Sequence, residues 1–516
     1  MTTSNIVVLV TIIVYMLAMV GIGFVFTKKN NSSEDYYLGG RKLGPFVTAM
    51  SAEASDMSAY LLMGIPGLAL MCGLAEATWT AIGLCVGTYL NWLIVSKRLR
   101  KYTERINAVT IPEYFSKRFG DKKNMLSAIA AVVIIVFFVP YTASGFSACG
   151  KLFSSLFGMQ YMTAMIICAA VIILYCTLGG FLAASTTDLI QSIIMTVALV
   201  IVLGIAEGIT GGFDAVFDNV RNFDGYLNLF EGFDVGTLTT GKFGVISVVS
   251  TLAWGLGYFG MPHILLRFMA IEDPKKLKLS RRVATVWVVI SMFIAILIGV
   301  AGYSLMKNGV LGVTYANNSD AETIIVDISK FLSTRGYIPA FAGGIFLSGI
   351  LASTMSTADS QLIAVSSSVT QDLLVNTFKA KISEKQNLVI ARISVIVISV
   401  IAVFLARDPN ASIFRVVSFA WAGFGAAFGP VILLSLFWKR SNKWGALAGM
   451  ISGGVMVFVW KFVIRTKFAG TALDIYELLP AFLTALVFIV VVSLLTPAPE
   501  KSITETFDEV KKTVND

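Results

Sequence analysis

The stretch VTAMSAEASDMSAYLLMGIPG places Ser51, Glu53, Ser55, Asp56 and Ser58 among alanines, methionines and leucines. A carboxylate in the middle of a membrane-spanning segment costs about 2.5–3.5 kcal/mol even on the lenient insertion scale, so it usually faces an interior cavity and binds something. Asp56 is therefore a candidate for ion coupling. Its small neighbours Ala54, Ser55 and Ser58 let a helix unwind and expose carbonyl oxygens, which suit a hard cation such as Na⁺. The rival reading is a carboxylate paired with Arg or Lys for packing. Glu53, three residues earlier on a similar face, is equally open to a direct role or to a paired, outer one.

A second stretch, SGILASTMSTADSQLIAVSSS, carries Ser353, Ser356, Thr357 and Ser360 at three- and four-residue spacing, so they share one helix face. Hydroxyls combined with backbone oxygens make a neutral cation cage. Alone, such a face also serves as packing glue between helices. A third stretch, TLAWGLGYFGMPHILLRF, is broken by Gly255, Gly257, Gly260 and Pro262. Trp254, Tyr258 and Pro262 fall four apart around that break, and Tyr141 follows Pro140 in another span. Aromatic walls with a few polar groups suit a small organic solute, although aromatics at helical spacing also build ordinary cores. His263 is the only histidine, which excludes a multi-histidine metal site, and it reads as structural beside Arg267. No HExxH, GxSxG or P-loop pattern occurs, so an enzyme is not expected.

These residues need elements to hold them. The 516-residue chain is 56% hydrophobic and only 14% charged, too few charges to coat a water-soluble protein of this size. At about 20 apolar residues per crossing, thirteen candidate spans emerge: 5–27, 44–71, 75–96, 125–150, 159–180, 185–207, 244–270, 283–306, 336–372, 388–406, 411–438, 444–464 and 474–496. The first has no basic region before it and no cleavage site after it, and is expected to be a retained span. With the N-terminus outside, 29 of the 40 Lys and Arg fall in loops on the inner side. The net charge of +9 is thus an orientation signal and not a sign of nucleic acid. The loop 97–124 contains TIPEYFSKRFG, in which Pro112 predicts a short amphipathic surface helix. Cys72, Cys85, Cys149, Cys168 and Cys176 form no disulfide frame. The interrupted second and seventh spans lie five apart, the pattern of a transporter with an inverted repeat.

The segments YYLGGRKLGP, ASDMSAYLLMGIPG, AWGLGYFGMPHILLRFMA and MSTADSQLIAVSSSVTQDL strongly resemble the sodium/solute symporter family, most closely its proline-carrying branch, over about residues 10–440. The resemblance implies an all-α membrane protein with a LeuT-type five-plus-five inverted repeat and extra flanking helices. Residues 1–43 would be the first span and its loop, 44–207 the first repeat, 208–438 the second, 439–496 the last two spans and 497–516 a cytoplasmic tail. It implies a Na⁺ site of the backbone oxygens of Ala54, Met57 and Ser353 and the side chains of Ser356 and Thr357. It implies a solute site of Ser58, Tyr141, Trp254, Tyr258 and Pro262. Asp56, Asp188 and Arg41 match charged positions that matter for coupling, and Glu53 joins them as a departure. The branch usually has Gly at Glu53, Gly and Trp at Ala59 and Tyr60, and Ala at Ser353. The implied function is Na⁺-coupled import of L-proline across the inner (plasma) membrane, with Na⁺ as coupling ion, no organic cofactor and no obligatory protein partner. The alternatives are another amino acid or small carboxylate, proton coupling through Glu53, or a sensor on a transporter fold, against which the short tail argues.

Overall fold

A segment in lipid must satisfy its own backbone hydrogen bonds, so apolar length dictates helices here. The computed structural model describes residues 3–27, 33–221 and 223–515. Lys28 and Lys29, counted above among the inner-loop cations, lie outside the described residues, as does Asp516 of the tail. In chain order, α1 is Thr3–Thr27, α2 Pro45–Ala59 and α3 Ile65–Cys72, with a π-helical turn Tyr60–Gly64 between the last two. Next come α4 Leu74–Leu90, α5 Ser96–Arg105, α6 Ile111–Arg118 and α7 Met125–Phe157. Helix α8, Tyr161–Thr210, is broken at Gly180, whose φ of 64° and ψ of −174° only glycine adopts easily. A hairpin of β1 Glu231–Asp234 and β2 Thr239–Lys242 pairs antiparallel. Then follow α9 Val245–Leu252, a 3₁₀ segment Ala253–Gly260, and α10 Pro262–Ala270. The remainder is α11 Leu277–Lys307, α12 Ile324–Ser333, α13 Tyr337–Ser367, α14 Glu384–Leu405, α15 Ile413–Phe437, α16 Lys443–Val459, α17 Leu478–Leu495 and α18 Lys501–Asn515.

Among the described residues, eleven helices are long and apolar enough to cross a membrane. The bent pair Val245–Gly260 and Pro262–Ala270, 47° apart, makes a twelfth. The remaining expected span, 159–180, is the first leg of α8, whose apolar part Tyr161–Leu174 is shorter than the rest. The π-helical continuation of α13 to Thr377 makes it the longest candidate, 41 residues, as its sequence suggested.

The interior belongs to the interrupted helices. In the most apolar window of Pro45–Cys72 94% of residues are buried, against 28% for α1 and 22% for Lys443–Lys467. So the broken span is the axis, α13 and α15 pack close to it at 72% and 78% buried, and α1 and Lys443–Lys467 lie on the outer wall. Small residues set the closest approaches. Gly83 and Gly87, four apart on α4, face the backbone of Leu252 and Gly255, where an added Cβ would collide. This small-xxx-small face lets α4 press against the 3₁₀ segment. Asn91 Nδ2 then donates to Tyr258 O at 2.9 Å.

One expectation changes. The helix at Pro112 exists, capped by the Thr110 hydroxyl accepting from Glu113 N. It is not a surface helix: Ile111, Tyr114, Phe115 and Arg118 are buried, and Arg118 Nε donates to Ser435 O at 2.7 Å. Its apolar face is covered by protein, chiefly α7, and the Phe507 ring of the tail helix lies 5.2 Å from the Arg118 guanidinium. The tail itself, with Phe507 and Val510 buried, docks on α5 and touches α6 at Arg118.

Candidate functional site

Helix α2 breaks at Ser58, whose φ of 44° and ψ of −169° lie outside the helical region. The non-glycine residue in this conformation is strained. The break frees backbone oxygens beside α13, and a hydrogen bond spans the gap: Ser356 Oγ donates to Ala54 O at 2.8 Å. Ser356 Oγ is also 3.2 Å from Ser353 O, to which Thr357 Oγ1 donates at 3.0 Å. Ala54, Ser353, Ser356 and Thr357 are thus linked directly. Met57, one helical position before the break, accepts from the Tyr60 N–H. All five oxygens are neutral and buried, the donor set that suits a hard monovalent cation.

The carboxylates divide around this cluster. Asp56 is wholly buried. Its Oδ2 accepts from Tyr258 OH at 2.6 Å, its Oδ1 has no partner, and its carbonyl accepts from Tyr141 OH at 3.1 Å. Asp56 therefore ties two of the expected solute residues to the broken helix. Glu53 turns to α4 and the turn after it: its Oε1 accepts from Thr88 Oγ1 at 3.0 Å and Trp92 Nε1 at 2.9 Å, and its Oε2 has no partner. It is buried and held by these two donors.

Two ion pairs bracket Ser58 along the broken span. On the α2 side, Arg267 Nη2 lies 3.1 Å from Asp188 Oδ2 and 2.5 Å from Ser360 Oγ, while Arg267 Nε donates to Ser51 Oγ at 3.0 Å. Ser51 in turn donates to Asp188 Oδ2 at 2.6 Å. This network joins α2, α8, α10 and α13. On the α3 side, Lys151 Nζ lies 2.9 Å from Glu322 Oε2, and both are buried. Glu322 also accepts from Ser412 Oγ and from the N–H groups of Ile413 and Phe414, so it caps α15. Its backbone nitrogen lies so near Gly67 that an added Cβ would sit 2.9 Å away. Arg267, Lys151 and Glu322 were not singled out from sequence as functional. Their charges within or against apolar spans were the available signal.

Between the pairs lies a small cavity, with room for about one water molecule, lined by Ser58, Tyr141, Thr142, Ser144, Thr357 and Gln361 among others. Ser58 and Tyr141 are expected solute residues, and Thr357 is shared with the cation set. Tyr258 reaches the cavity only through Asp56. Trp254 and Pro262 do not line it: Trp254 packs among Tyr60, Phe414 and Tyr476, and Pro262 opens α10. The Trp254 carbonyl accepts from Trp421 Nε1 at 2.7 Å, and Trp421 meets Tyr258 edge-on. Arg41, expected to couple, sits away from this group. It donates to the carbonyls of Ala108 at 2.7 Å and Met269 at 2.8 Å, joining loop segments to the end of α10. His263 is buried against the Phe138 ring, and its carbonyl accepts from Arg267 Nη1.

The profile of the sodium:solute symporter family matches residues 36–453. An osmoregulated proline transporter, OpuE, of Bacillus subtilis (strain 168) is 42% identical over 98% of each chain. The sodium/proline symporter of Escherichia coli (strain K12) is 41% identical over 97% of this chain and 95% of its own. A solved Na⁺-coupled sialic acid symporter, in a substrate-bound outward-open state, superposes with a TM-score of 0.78 at 17% identity, covering 96% of this chain and 98% of that one. MhsT in complex with L-phenylalanine matches with a TM-score of 0.53 at 14% identity, over 88% and 98%. The fold is the LeuT-type inverted repeat with flanking helices.

Proposed function

The chain belongs to the sodium:solute symporter family, and from that premise we propose that it imports L-proline together with Na⁺ by alternating access. It is a multi-pass membrane transporter and not an enzyme. The solute identity is supported by near-full-length relatives described as proline transporters. The observation that carries the coupling is the Ser356 bond to the Ala54 carbonyl across the broken helix.

Na⁺ would bridge the two oxygens in place of that hydrogen bond, the Ser356 hydroxyl keeping its proton and turning it aside, with the oxygens of Ala54, Met57, Ser353, Ser356 and Thr357 around the ion. This fixes α2 against α13 and with it Ser58, the first wall of the solute cavity. Asp56 transmits the same order to Tyr141 and Tyr258. The two ion pairs then open alternately. Release at Lys151–Glu322 frees the N-terminus of α15 on one side, and release at Arg267–Asp188 frees α10 on the other. The orientation we propose puts the N-terminus outside and the tail in the cytoplasm, in the inner (plasma) membrane, so Lys151–Glu322 is the outer lock. The repeats we assign are 44–207 and 208–438, flanked by 1–43 and by 439–496 and the tail 497–516.

One charge crossing about 100 mV releases about 2.3 kcal/mol. A roughly tenfold Na⁺ gradient adds about 1.4 kcal/mol. Together these sustain accumulation of a neutral solute by a few hundred-fold. The test is uptake of labelled L-proline by the purified chain in proteoliposomes, with and without an inward Na⁺ gradient. Uptake that follows a pH gradient in Na⁺-free buffer would replace Na⁺ with H⁺ and move attention to Glu53. Uptake that excess L-proline fails to displace would replace the solute.

A further inference from the structure

The solute cavity has a polar inventory that the sequence did not expose. No charged side chain lines it among the described residues. Most of its hydroxyls already donate to protein oxygens: Thr142 to Gln361 Oε1 at 2.8 Å, Ser144 to Tyr141 O at 2.6 Å, Thr354 to Ile350 O at 3.0 Å and Thr357 to Ser353 O at 3.0 Å. Tyr141 OH donates to Asp56 O. Ser58 Oγ accepts from the Tyr60 N–H at 3.3 Å, and its hydroxyl also meets that of Tyr141. Gln361 is wholly buried, and its Nε2 has no partner. An unpaired buried amide nitrogen is costly, and this one belongs to a residue lining the cavity.

We propose that Gln361 is a specificity-determining residue of this cavity, its Nε2 donating to the carboxylate of the transported amino acid while the Ser58 hydroxyl serves the second carboxylate oxygen. This rests on the reading of the chain as an amino-acid symporter. Two neutral donors from two helices, α2 and α13, match the two oxygens of one carboxylate. Both helices also hold the cation set, so carboxylate and Na⁺ favour the same approach of α2 to α13. The Thr142 hydroxyl engages Oε1, which leaves Nε2 as the open end of the amide at a residue lining the cavity. Solutes of the same ring without a carboxylate would leave the amide unpaired and bind poorly.

The experiment uses the full chain in proteoliposomes, with the near-isosteric substitutions Gln361→Met and Gln361→Glu. Labelled L-proline uptake is titrated against L-proline, against Na⁺, and against L-prolinamide as competitor. Both variants should raise half-saturating L-proline by about tenfold or more while leaving half-saturating Na⁺ near wild type. In Gln361→Glu, prolinamide should gain on proline as a competitor, because a carboxylate there accepts from an amide and repels an acid. Unchanged half-saturating proline in both variants would overturn the proposal. So would an equal loss for proline and prolinamide, which is what a purely structural glutamine gives. If wild-type protein takes up no L-proline, the proline assignment fails by that result alone. The Gln361 proposal is then decided by thermal stabilisation of wild type and Gln361→Glu in detergent by a panel of amino acids and their amides. Stabilisation by acids over amides that the substitution abolishes sustains it, and equal behaviour of the two proteins sinks it.

Discussion

The hydroxyl of Ser356 and the carbonyl of Ala54, 302 positions apart in sequence, lie 2.8 Å from each other at the point where α2 loses its helical hydrogen bonds. The contact joins the two helices that carry every residue of the proposed cation set. Removing one of its hydroxyls should therefore act on the ion first. Ser356→Ala and Thr357→Ala are expected to raise half-saturating Na⁺ by about 10- to 100-fold, the range seen when a group supporting a metal site is lost. Proline uptake measured across a Na⁺ titration checks this, and unchanged Na⁺ dependence in both variants would exclude the site.

Tyr258 donates to Asp56 Oδ2 at 2.6 Å, and the other carboxylate oxygen has no partner. Tyr258→Phe strips a buried carboxylate of its one side-chain donor. Leaving such a group unsatisfied costs about 1–3 kcal/mol or more. The expected result is a protein that folds yet takes up proline much more slowly, with Asp56→Asn partly relieving the defect in the double variant. Initial rates for the two single variants and the double variant form the cycle that decides it.

Lys151 and Glu322 form an ion pair with the lysine 6% and the glutamate 1% exposed. Breaking such a pair from one side leaves an uncompensated buried charge, a loss of about 3–5 kcal/mol. Lys151→Met should lower thermal stability in detergent by that order. Lys151→Met with Glu322→Gln should recover much of it, because the glutamine carbonyl oxygen still accepts from the α15 N-terminus. Equal stability of the single and double variants would show that the pair is solvated in the membrane-embedded protein.

The tail helix makes a contrast within one interface. Arg105–Glu509 is 2.8 Å long with both partners more than half exposed, so Arg105→Ala should change tail docking by no more than about 1 kcal/mol. Phe507 and Val510 are buried, and Phe507→Ala removes the apolar anchor over Arg118. Limited trypsin digestion reads the difference. Cleavage at Lys511 and Lys512 should speed up in Phe507→Ala and stay near wild type in Arg105→Ala.

Close packing of backbone on side chain gives the sharpest steric forecast. A Cβ on Gly257 would fall on the Trp421 indole, and the same tryptophan holds Trp254 O through its ring nitrogen. Gly257→Val cannot be accommodated without displacing the 3₁₀ segment that carries Tyr258. It should abolish proline uptake and reduce folded yield, whereas Gly208→Val, which meets nothing within 4 Å, should leave both near wild type. Fluorescence-detected size-exclusion profiles and uptake rates measure the two outcomes.

Much of the site was legible because charge is scarce. Asp56 and Glu53 stand out in an apolar run for a simple energetic reason, and the Ser356–Thr357 pair lies on one face by helical geometry. The same logic reached Arg267 and Lys151 less readily, since a cation near a span end also reads as a topology signal or a snorkelling side chain. Gln361 left no such trace: an uncharged amide among serines has no cost that sequence alone can price. The helix at Pro112 was placed correctly by its proline and apolar spacing, but its burial depends on α7 folding over it.

Sequence by itself determined that the chain is a many-span helical membrane protein with two interrupted segments, because period, apolar length and glycine or proline breaks are local properties. It also determined which residue types could hold a cation. Tertiary structure decided the pairings: Ser356 with Ala54, Tyr258 with Asp56, Asp188 with Arg267, and an unpartnered Gln361 Nε2 in the cavity. These join residues from 79 to 302 positions apart. No local rule fixes which helix faces which, since that follows from the glycine-backbone contacts and buried charges of the assembled bundle.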